Sequence, residues 1–381
     1  MFIDRRLIKQ FDLSLFFISL LIPCLGLIVL YSAGYSESAN AVFNWIPAEI
    51  KSPAFVKQAM FIGAGLLVML VAISIPSDIF SRYAYLLYFI GICLLLVVLV
   101  AGVVSHGSRR WLAIGGFTIQ PSELVKFSLI LALSKYLSSH PPGPGGYGFK
   151  QLFMPLMIIL FPTALIIKQP DLGTAISVAA IGVMMVLFMG VRIKCLSIIA
   201  ATGLAAIYPA WLSLHDYQKR RVLALINPDA DPLGSGYHII QSKIAVGSGG
   251  FFGKGFMGGT QTQLEFLPEH TTDFVFSVLA EEWGFIGAVI VLSFYFLFLY
   301  KILSISVRSK DLFSVLVVFG IAASFFFHVI VNVGMVIGIL PVVGLPLPLF
   351  SYGGSSVLSS MFAIGIVQGV TMRRLIFAAK S

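Results

Sequence analysis

The chain has 381 residues, of which 58% are hydrophobic and only 11% charged. A soluble domain carries about 25% charged residues, so composition excludes a soluble globular protein and places the chain among polytopic membrane proteins. The net charge of +9 is scattered between apolar runs and gathers into no basic stripe, which excludes nucleic acid as a partner and points to lipid headgroups and positive-inside orientation.

Arg5, Arg6 and Lys9 precede an apolar run from Leu13 to Leu30. Positive flank and apolar run also describe a signal peptide, but Ser32-Ala33-Gly34 is a weak cleavage site and the run is long enough to span. It reads as a retained first helix with the N-terminus in the cytoplasm. A helix needs about 20 apolar residues to cross about 30 Å of hydrocarbon. On that measure the pattern predicts spans near 13–32, 56–75, 84–104, 121–138, 152–168, 173–190, 195–214, 274–300, 313–333 and 355–371. The expected fold is therefore all-α, a single membrane domain over 1–381 with about ten transmembrane helices. The fifth and sixth are separated only by Gln169-Pro-Asp-Leu172. No internal repeat is visible, so an inverted-repeat transporter gains no support.

Lys and Arg in the short loops, among them Arg82, Arg192, Lys194, Lys301, Arg308, Arg373 and Arg374, favour an N-in, C-in topology. Three segments then fall outside: Ser105 to Gln120, a long extracytoplasmic loop of about 215–272 between helices seven and eight, and Gly334 to Gly354. The last is rich in glycine and proline, and non-helical backbone at membrane depth is tolerated only where it is buried in protein or lines a cavity. Cys24, Cys93 and Cys195 lie in apolar runs without metal-ligand spacing and read as inert packing residues. The six histidines form no metal signature, so no metal ligands are assigned.

Charged residues beside these outer segments carry the candidate chemistry. Arg109, Arg110 and Trp111 form a compact cluster, read either as an interfacial anchor or as an anion site, since arginine binds phosphate in a planar, bidentate way. Pro121 opens the fourth span, and Glu123 and Lys126, three residues apart, share a helix face. They read either as a structural ion pair or as a charge pair facing an outer cavity, with Lys126 available to a phosphate. Lys219-Arg220-Arg221, then Gln241-Ser242-Lys243 and the glycines from Gly247 to Gly255, mark a re-entrant or surface-lying segment. It lacks the spacing of a P-loop. Asp273 stands where this loop meets the eighth span. It reads either as a first-turn carboxylate complementing the helix dipole or as a functional group, because a carboxylate at the hydrocarbon edge is costly. Glu281 and Glu282, further along the same span, suggest a polar, wet interior.

Four ordered stretches resemble one family. Gly236-Tyr-His-Ile-Ile-Gln-Ser-Lys-Ile-Ala245 with Leu279-Ala-Glu-Glu-Trp-Gly284, Pro121-Ser-Glu-Leu-Val-Lys126, Gln169-Pro-Asp-Leu-Gly173 and Pro346-Leu-Pro-Leu-Phe-Ser-Tyr-Gly-Gly-Ser-Ser356 are similar to the SEDS proteins of shape, elongation, division and sporulation. The run from Gly253 through Glu269 resembles the elongation branch rather than the division branch. Where the family often has an arginine before its Thr-Asp pair, this chain has His270-Thr271-Thr272. The resemblance implies a peptidoglycan glycosyltransferase that polymerises lipid II, as donor and acceptor, on the outer face of the cytoplasmic membrane. It implies a class B penicillin-binding transpeptidase and other elongation-complex membrane proteins as partners. Asp273 matches the family's catalytic aspartate. The substrate-binding set expected here is Arg109, Arg110, Trp111, Glu123, Lys126 and Lys243. A divalent cation, magnesium or manganese, is an open possibility for which the sequence shows no cage.

The mechanism expected is an inverting transfer with Asp273 as general base and the cations stabilising pyrophosphate. Two rivals differ in class. A lipid II flippase would need a polar path, to which Glu123, Lys126, Asp171, Glu281 and Glu282 could contribute; a passive scaffold for the transpeptidase would leave Asp273 without a task. Gly284 with Ala288, and Gly320 with Ser324, form small-xxx-small pairs that suit either packing within the bundle or docking of a partner's helix.

Overall fold

The computed structural model describes residues 10–35, 52–105, 108–114, 117–214, 216–231, 234–264, 266–309 and 311–373. Arg5, Arg6, Lys9, Arg374 and Lys380, part of the basic pattern behind the expected orientation, lie outside them, as do Gly107, His215 and Glu265. Thirteen α-helices are present among the described residues: α1 Leu13–Ala33, α2 Pro53–Ser74, α3 Ser77–Ala101, α4 Pro121–Ser139, α5 Phe149–Lys168, α6 Leu172–Met189, α7 Ile193–Ser213, α8 Asp216–Ile226, α9 Ser235–Ser248, α10 Thr260–Gln263, α11 Val275–Arg308, α12 Leu312–Val336 and α13 Gly354–Arg373. Each expected span coincides with one of these, α3 beginning seven residues earlier and α11 ending eight later than hydropathy suggests. The sequence sets the starts: Asp12, Asp171 and Asp311 cap α1, α6 and α12 by accepting from the backbone N–H three residues on, which pairs an otherwise orphaned donor.

Eight of the helices are long and apolar enough to cross a membrane. Leu204, Phe296, Val100 and Ile193 are between 69% and 82% exposed, an apolar surface that a soluble protein could not keep in water and that lipid covers. The chain is a multi-pass membrane protein. α4 and α7 fall below that measure, for different reasons. The apolar stretch of α7 is short, Ile193–Pro209. α4 carries Glu123 and Lys126 and buries most of its length, packing against α3, α5, α6, α12 and α13. It is the interior helix of the bundle, where polar residues find partners instead of lipid.

Two of the connecting segments carry structure of their own. The segment before α4 is a three-stranded antiparallel sheet, β1 Val103–Ser105, β2 Ser108–Ile114 and β3 Phe117–Ile119 in that order, a small addition to a mostly helical fold. The long loop is largely helical too: α8, a 3₁₀ turn at Pro228–Ala230, α9 and α10 fill it, and α9 packs on α11 and α12. The backbone from Ile337 to Gly353 is irregular as expected, and it is buried in protein through Leu345, Leu347, Leu349 and Phe350.

Close helix approaches rest on small residues. A Cβ on Gly365 of α13 would lie 2.6 Å from the Met69 carbonyl of α2, and one on Gly26 of α1 would lie 2.6 Å from the Phe350 carbonyl. The small pairs of α11 and α12 are occupied in the same way. Gly320 faces Ile130 and Met185, and Gly284 lies at a break in α11 against Gly253. Neither glycine is free to receive a partner's helix, so the docking reading of these two is replaced by packing within the bundle.

A paired test follows. Gly26→Ala should destabilise the detergent-solubilised protein by about 1–3 kcal/mol, because the obstructing atoms are backbone. Gly63→Ala, with nothing within 4 Å of the added Cβ, should be neutral or stabilising by up to about 1 kcal/mol. Thermal denaturation of both variants checks the ranking.

Candidate functional site

Asp273 occupies the turn that leads into α11. Glu269, at φ +53°, aims its carbonyl at the N–H groups of Thr272, Asp273 and Phe274, which donate to it at 3.1, 3.1 and 3.3 Å. The Asp273 carbonyl accepts from Asn332 Nδ2 at 2.8 Å, and the same amide nitrogen donates to the Leu345 carbonyl at 2.8 Å. Gly344, at φ +72°, forms the wall beside the carboxylate: a Cβ there would sit 3.2 Å from Asp273 Oδ2. Asp273 remains partly exposed.

Burial pushes its carboxyl up to about 7, and Glu269 adds to the rise; Arg221 and Arg110 oppose it, and Asp171 contributes in the upward direction. A carboxylic acid that titrates near neutrality, beside two guanidinium groups, can take a proton from a hydroxyl and hand it on. His238, on α9, stacks on Phe274 with ring centroids 5.9 Å apart, and burial holds it below the ordinary histidine range.

The cluster of residues 109–111 divides. The β1–β2 register shifts between Val103 and Val104, leaving an extra residue on β2 at Arg110, and such a bulge re-aims a side chain. Arg110 Nη1 lies 3.7 Å from Asp171 Oδ1, and Nη2 donates to the Pro170 carbonyl at 2.5 Å. Gln120 donates to the other Asp171 oxygen at 3.4 Å. Arg110 thus belongs to the Asp273 neighbourhood. Arg109 is exposed and Trp111 half-buried on the same strand. Lys243, exposed on α9, lays its aliphatic stem over Gly338 at the end of α12.

Glu123 and Lys126 form a second, deeper node. Their charges meet at 2.7 Å, and both side chains are buried. Ser359 of α13 donates to Glu123 at 2.9 Å. Nε2 of His328, on α12, lies 3.1 Å from both Lys126 Nζ and Ser177 Oγ of α6. Four helices are thereby tied together around a polar cavity with a volume of about 10 Å³, lined also by Ser324, Pro348, Ser356 and Ser360. That volume suits about one water molecule.

Glu281 and Glu282 form a third node, and the glycine-rich loop explains it. α11 breaks at Gly284, φ +64°. Lys254 and Gly255 donate backbone N–H groups to the carbonyls of Glu281 and Glu282 at 3.0 and 2.9 Å, while Phe285 donates to Gly250 at 3.0 Å. The loop is clipped into the break. Glu281 accepts from Lys254 Nζ at 2.7 Å, Thr260 at 3.0 Å and the Gln261 N–H at 3.1 Å, and Glu282 accepts from Ser32 of α1. The polar interior expected from these glutamates is a staple joining α1, α11 and the loop.

The sequence reading named Asp273 and Arg110 as candidates and did not single out Arg221, Glu269, Asn332 and Gly344, which the structure sets around Asp273. Arg221 stood in a noted basic triplet, whereas Asn332 offered no signal beyond an amide in an apolar helix. Among the described residues no group of three or more His, Cys, Asp and Glu side chains could hold a metal ion. Asp171 is engaged by Arg110 and Gln120 and by Thr174.

Comparison with known proteins agrees with this architecture. The FtsW/RodA/SpoVE cell cycle protein family model matches residues 12–375. The peptidoglycan glycosyltransferase MrdB of Escherichia coli K12 is 44% identical over 314 residues, covering 82% of this chain and 84% of that protein. The peptidoglycan glycosyltransferase RodA of Treponema pallidum is 31% identical, covering 97% of this chain and 99% of its own. Among solved structures, the rod shape determining protein RodA of Thermus thermophilus superposes with a TM-score of 0.69 at 30% identity, covering 96% of this chain and 97% of its own. A chain from a peptidoglycan synthase complex that coordinates polymerization and crosslinking superposes at 0.78 with 34% identity, covering 96% of this chain and 98% of its own. The chain belongs to the FtsW/RodA/SpoVE family of cell cycle proteins.

Proposed function

We propose that the chain is a peptidoglycan glycosyltransferase of cell elongation that polymerises lipid II in the cytoplasmic membrane, with its active site on the outer face. The observation that carries the mechanism is the Asp273 carboxyl, held between the Glu269 turn and Gly344 and raised to about 7 beside Arg110 and Arg221. The 4-hydroxyl of the acceptor sugar attacks C1 of the donor muramyl residue, inverting it to a β-1,4 linkage. Asp273 takes the hydroxyl proton, and undecaprenyl pyrophosphate leaves with the bonding electrons. A general base whose pKa lies near the working pH contributes about 10²–10⁴-fold.

Arg110 and Arg221 are the cations that share the neighbourhood of Asp273 and stabilise the pyrophosphate oxygens. Exposed Arg109 and Lys243 extend this positive surface, and Trp111 offers an apolar face to a sugar ring. Glu123 and Lys126 act from beneath: removing one partner of a buried pair strands the other charge. A class B penicillin-binding transpeptidase crosslinks the new glycan, working with this chain among the elongation-complex membrane proteins. The flippase reading draws less support. Its five candidate residues are held in three separate nodes, each charge met by a partner: Glu123 by Lys126, Asp171 by Arg110, Glu281 by Lys254, and Glu282 by Ser32.

With purified protein and partner in detergent, Asp273→Asn should lower lipid II polymerisation by about 10²–10⁴-fold while the protein stays folded. Since the carboxyl is raised to about 7, the wild-type rate should climb as pH rises through about 7 and then level off. Stability carries the opposite sign. The native state holds this proton more tightly than the unfolded chain, so ionisation costs stability between the ordinary aspartate range and about pH 7. Asp273→Asn should therefore melt no lower than wild type at pH 8. Normal glycan output from Asp273→Asn would overturn the assignment.

The deeper pair gives a separate test. Glu123→Ala or Lys126→Ala alone should destabilise the protein by about 3–5 kcal/mol. The double alanine should regain much of that stability without regaining activity. Recovery of polymerisation in the double variant would make the pair purely structural.

A further inference from the structure

We infer that Asn332 is a positioning residue for Asp273, its side-chain amide locking together the two backbone walls between which the carboxylate is held. The inference rests on the general-base reading of Asp273 and deepens it. Asn332 is 0% exposed near the C-terminal end of α12. Both of its N–H groups are used at 2.8 Å, one on the Asp273 carbonyl and one on the Leu345 carbonyl.

These two acceptors are distant in sequence and adjacent in function. Ser277 N–H donates to the Phe274 carbonyl, so the ladder of α11 begins one residue after Asp273 and leaves the Asp273 carbonyl to Asn332. Leu345 follows Gly344, whose left-handed backbone brings the chain against Asp273 Oδ2. A primary amide is the side chain that offers two N–H donors from a single neutral nitrogen; serine offers one, leucine none, and an ionised aspartate only acceptors. The geometry is kept although Asn332 Oδ1 is buried without a protein partner.

One turn earlier on the same face of α12, His328 lies against the Pro346 backbone. The 344–348 segment is thus set against a single helix face, and α12 becomes the rigid element against which Asp273 is set. Other bonds hold the same segment without reaching Asp273. Tyr295 donates to the Pro348 carbonyl at 2.6 Å, and Ser351 Oγ accepts from Leu347 N–H at 2.9 Å. They provide the control.

The charged groups facing Asp273 are Glu269 from its own turn, Arg221 from α8, Arg110 from β2 and Asp171 at the start of α6; α12 and the 344–348 segment meet it with neutral Asn332 and Gly344. Releasing the clamp should therefore leave the surrounding charges in place and mainly admit water to the carboxylate. Its titration should move down toward the ordinary aspartate range.

The experiment compares wild type, Asn332→Leu, Tyr295→Phe and Asp273→Asn, each purified with the transpeptidase partner, in steady-state polymerisation of lipid II across pH. Asn332→Leu keeps the branched shape with somewhat more bulk and removes both donors. It should lower kcat about 10²-fold, as a displaced catalytic group does, leave KM within about twofold, and shift the acid limb of kcat below that of wild type. Tyr295→Phe should keep the limb and most of kcat. Wild-type kcat and acid limb in Asn332→Leu would overturn the inference, as would a rise in KM alone or an equal loss in Tyr295→Phe. If Asn332→Leu does not fold, Asn332→Ser, which keeps one donor, is judged by the same criteria. Near-normal activity of Asp273→Asn would instead overturn the general-base reading, a separately visible outcome.

Discussion

The cost of holding charge inside an apolar bundle organises this molecule. Three buried carboxylates are met by an opposite charge and by further donors, Glu123 by Lys126 and Ser359, Asp171 by Arg110 and the start of α6, and Glu281 by Lys254, Thr260 and a backbone N–H, while Glu282 accepts from Ser32. These pairings join elements far apart in sequence, so they also set which helices can be neighbours. Asp273 departs from the pattern. It is lodged beside Gly344 at the boundary of the bundle, near two arginines that are offset by Glu269 and Asp171. The resulting balance leaves it undecided between charged and neutral near pH 7, which is the condition a proton-transfer group needs.

Helix breaks place these groups. α11 is interrupted at Gly284, where the loop from Gly249 to Gly255 supplies the backbone partners that the interrupted helix lacks. The 337–353 segment is irregular because glycine and proline forbid helix there, and it is tolerated because α12, Tyr295 and its own Ser351 satisfy its polar groups. The first segment is bonded to α11 around its break, and the second is bonded to Asn332 near the C-terminal end of α12. The site is therefore set by rigid helices through single side chains, and small displacements of those helices would be felt at Asp273.

Much of this was legible in the sequence, for identifiable reasons. Ten apolar runs matched ten helices because lipid demands a length and a composition that survive without any knowledge of packing. Asp273 and the Glu123–Lys126 pair stood out because charge beside apolar sequence is rare and short-range spacing fixes who can meet. Three features were not legible. The sheet at Val103–Ile119 hid in a segment whose glycines and arginines read as loop. The small pairs at Gly284 and Gly320 gave no hint that Gly253, Ile130 and Met185 already fill them. Asn332, 59 residues from Asp273 in sequence, makes a contact that only tertiary structure defines.

The central claim concerns the protonation state of a single carboxyl, and difference infrared spectroscopy reads it directly. In purified protein with isotope-labelled aspartate, titrated and compared with Asp273→Asn, a carboxylic acid C=O band belonging to Asp273 should disappear with a midpoint at about 7. A carboxylate already ionised at pH 5, with no band lost near neutrality, would contradict the proposal that Asp273 is a base tuned to act near neutral pH.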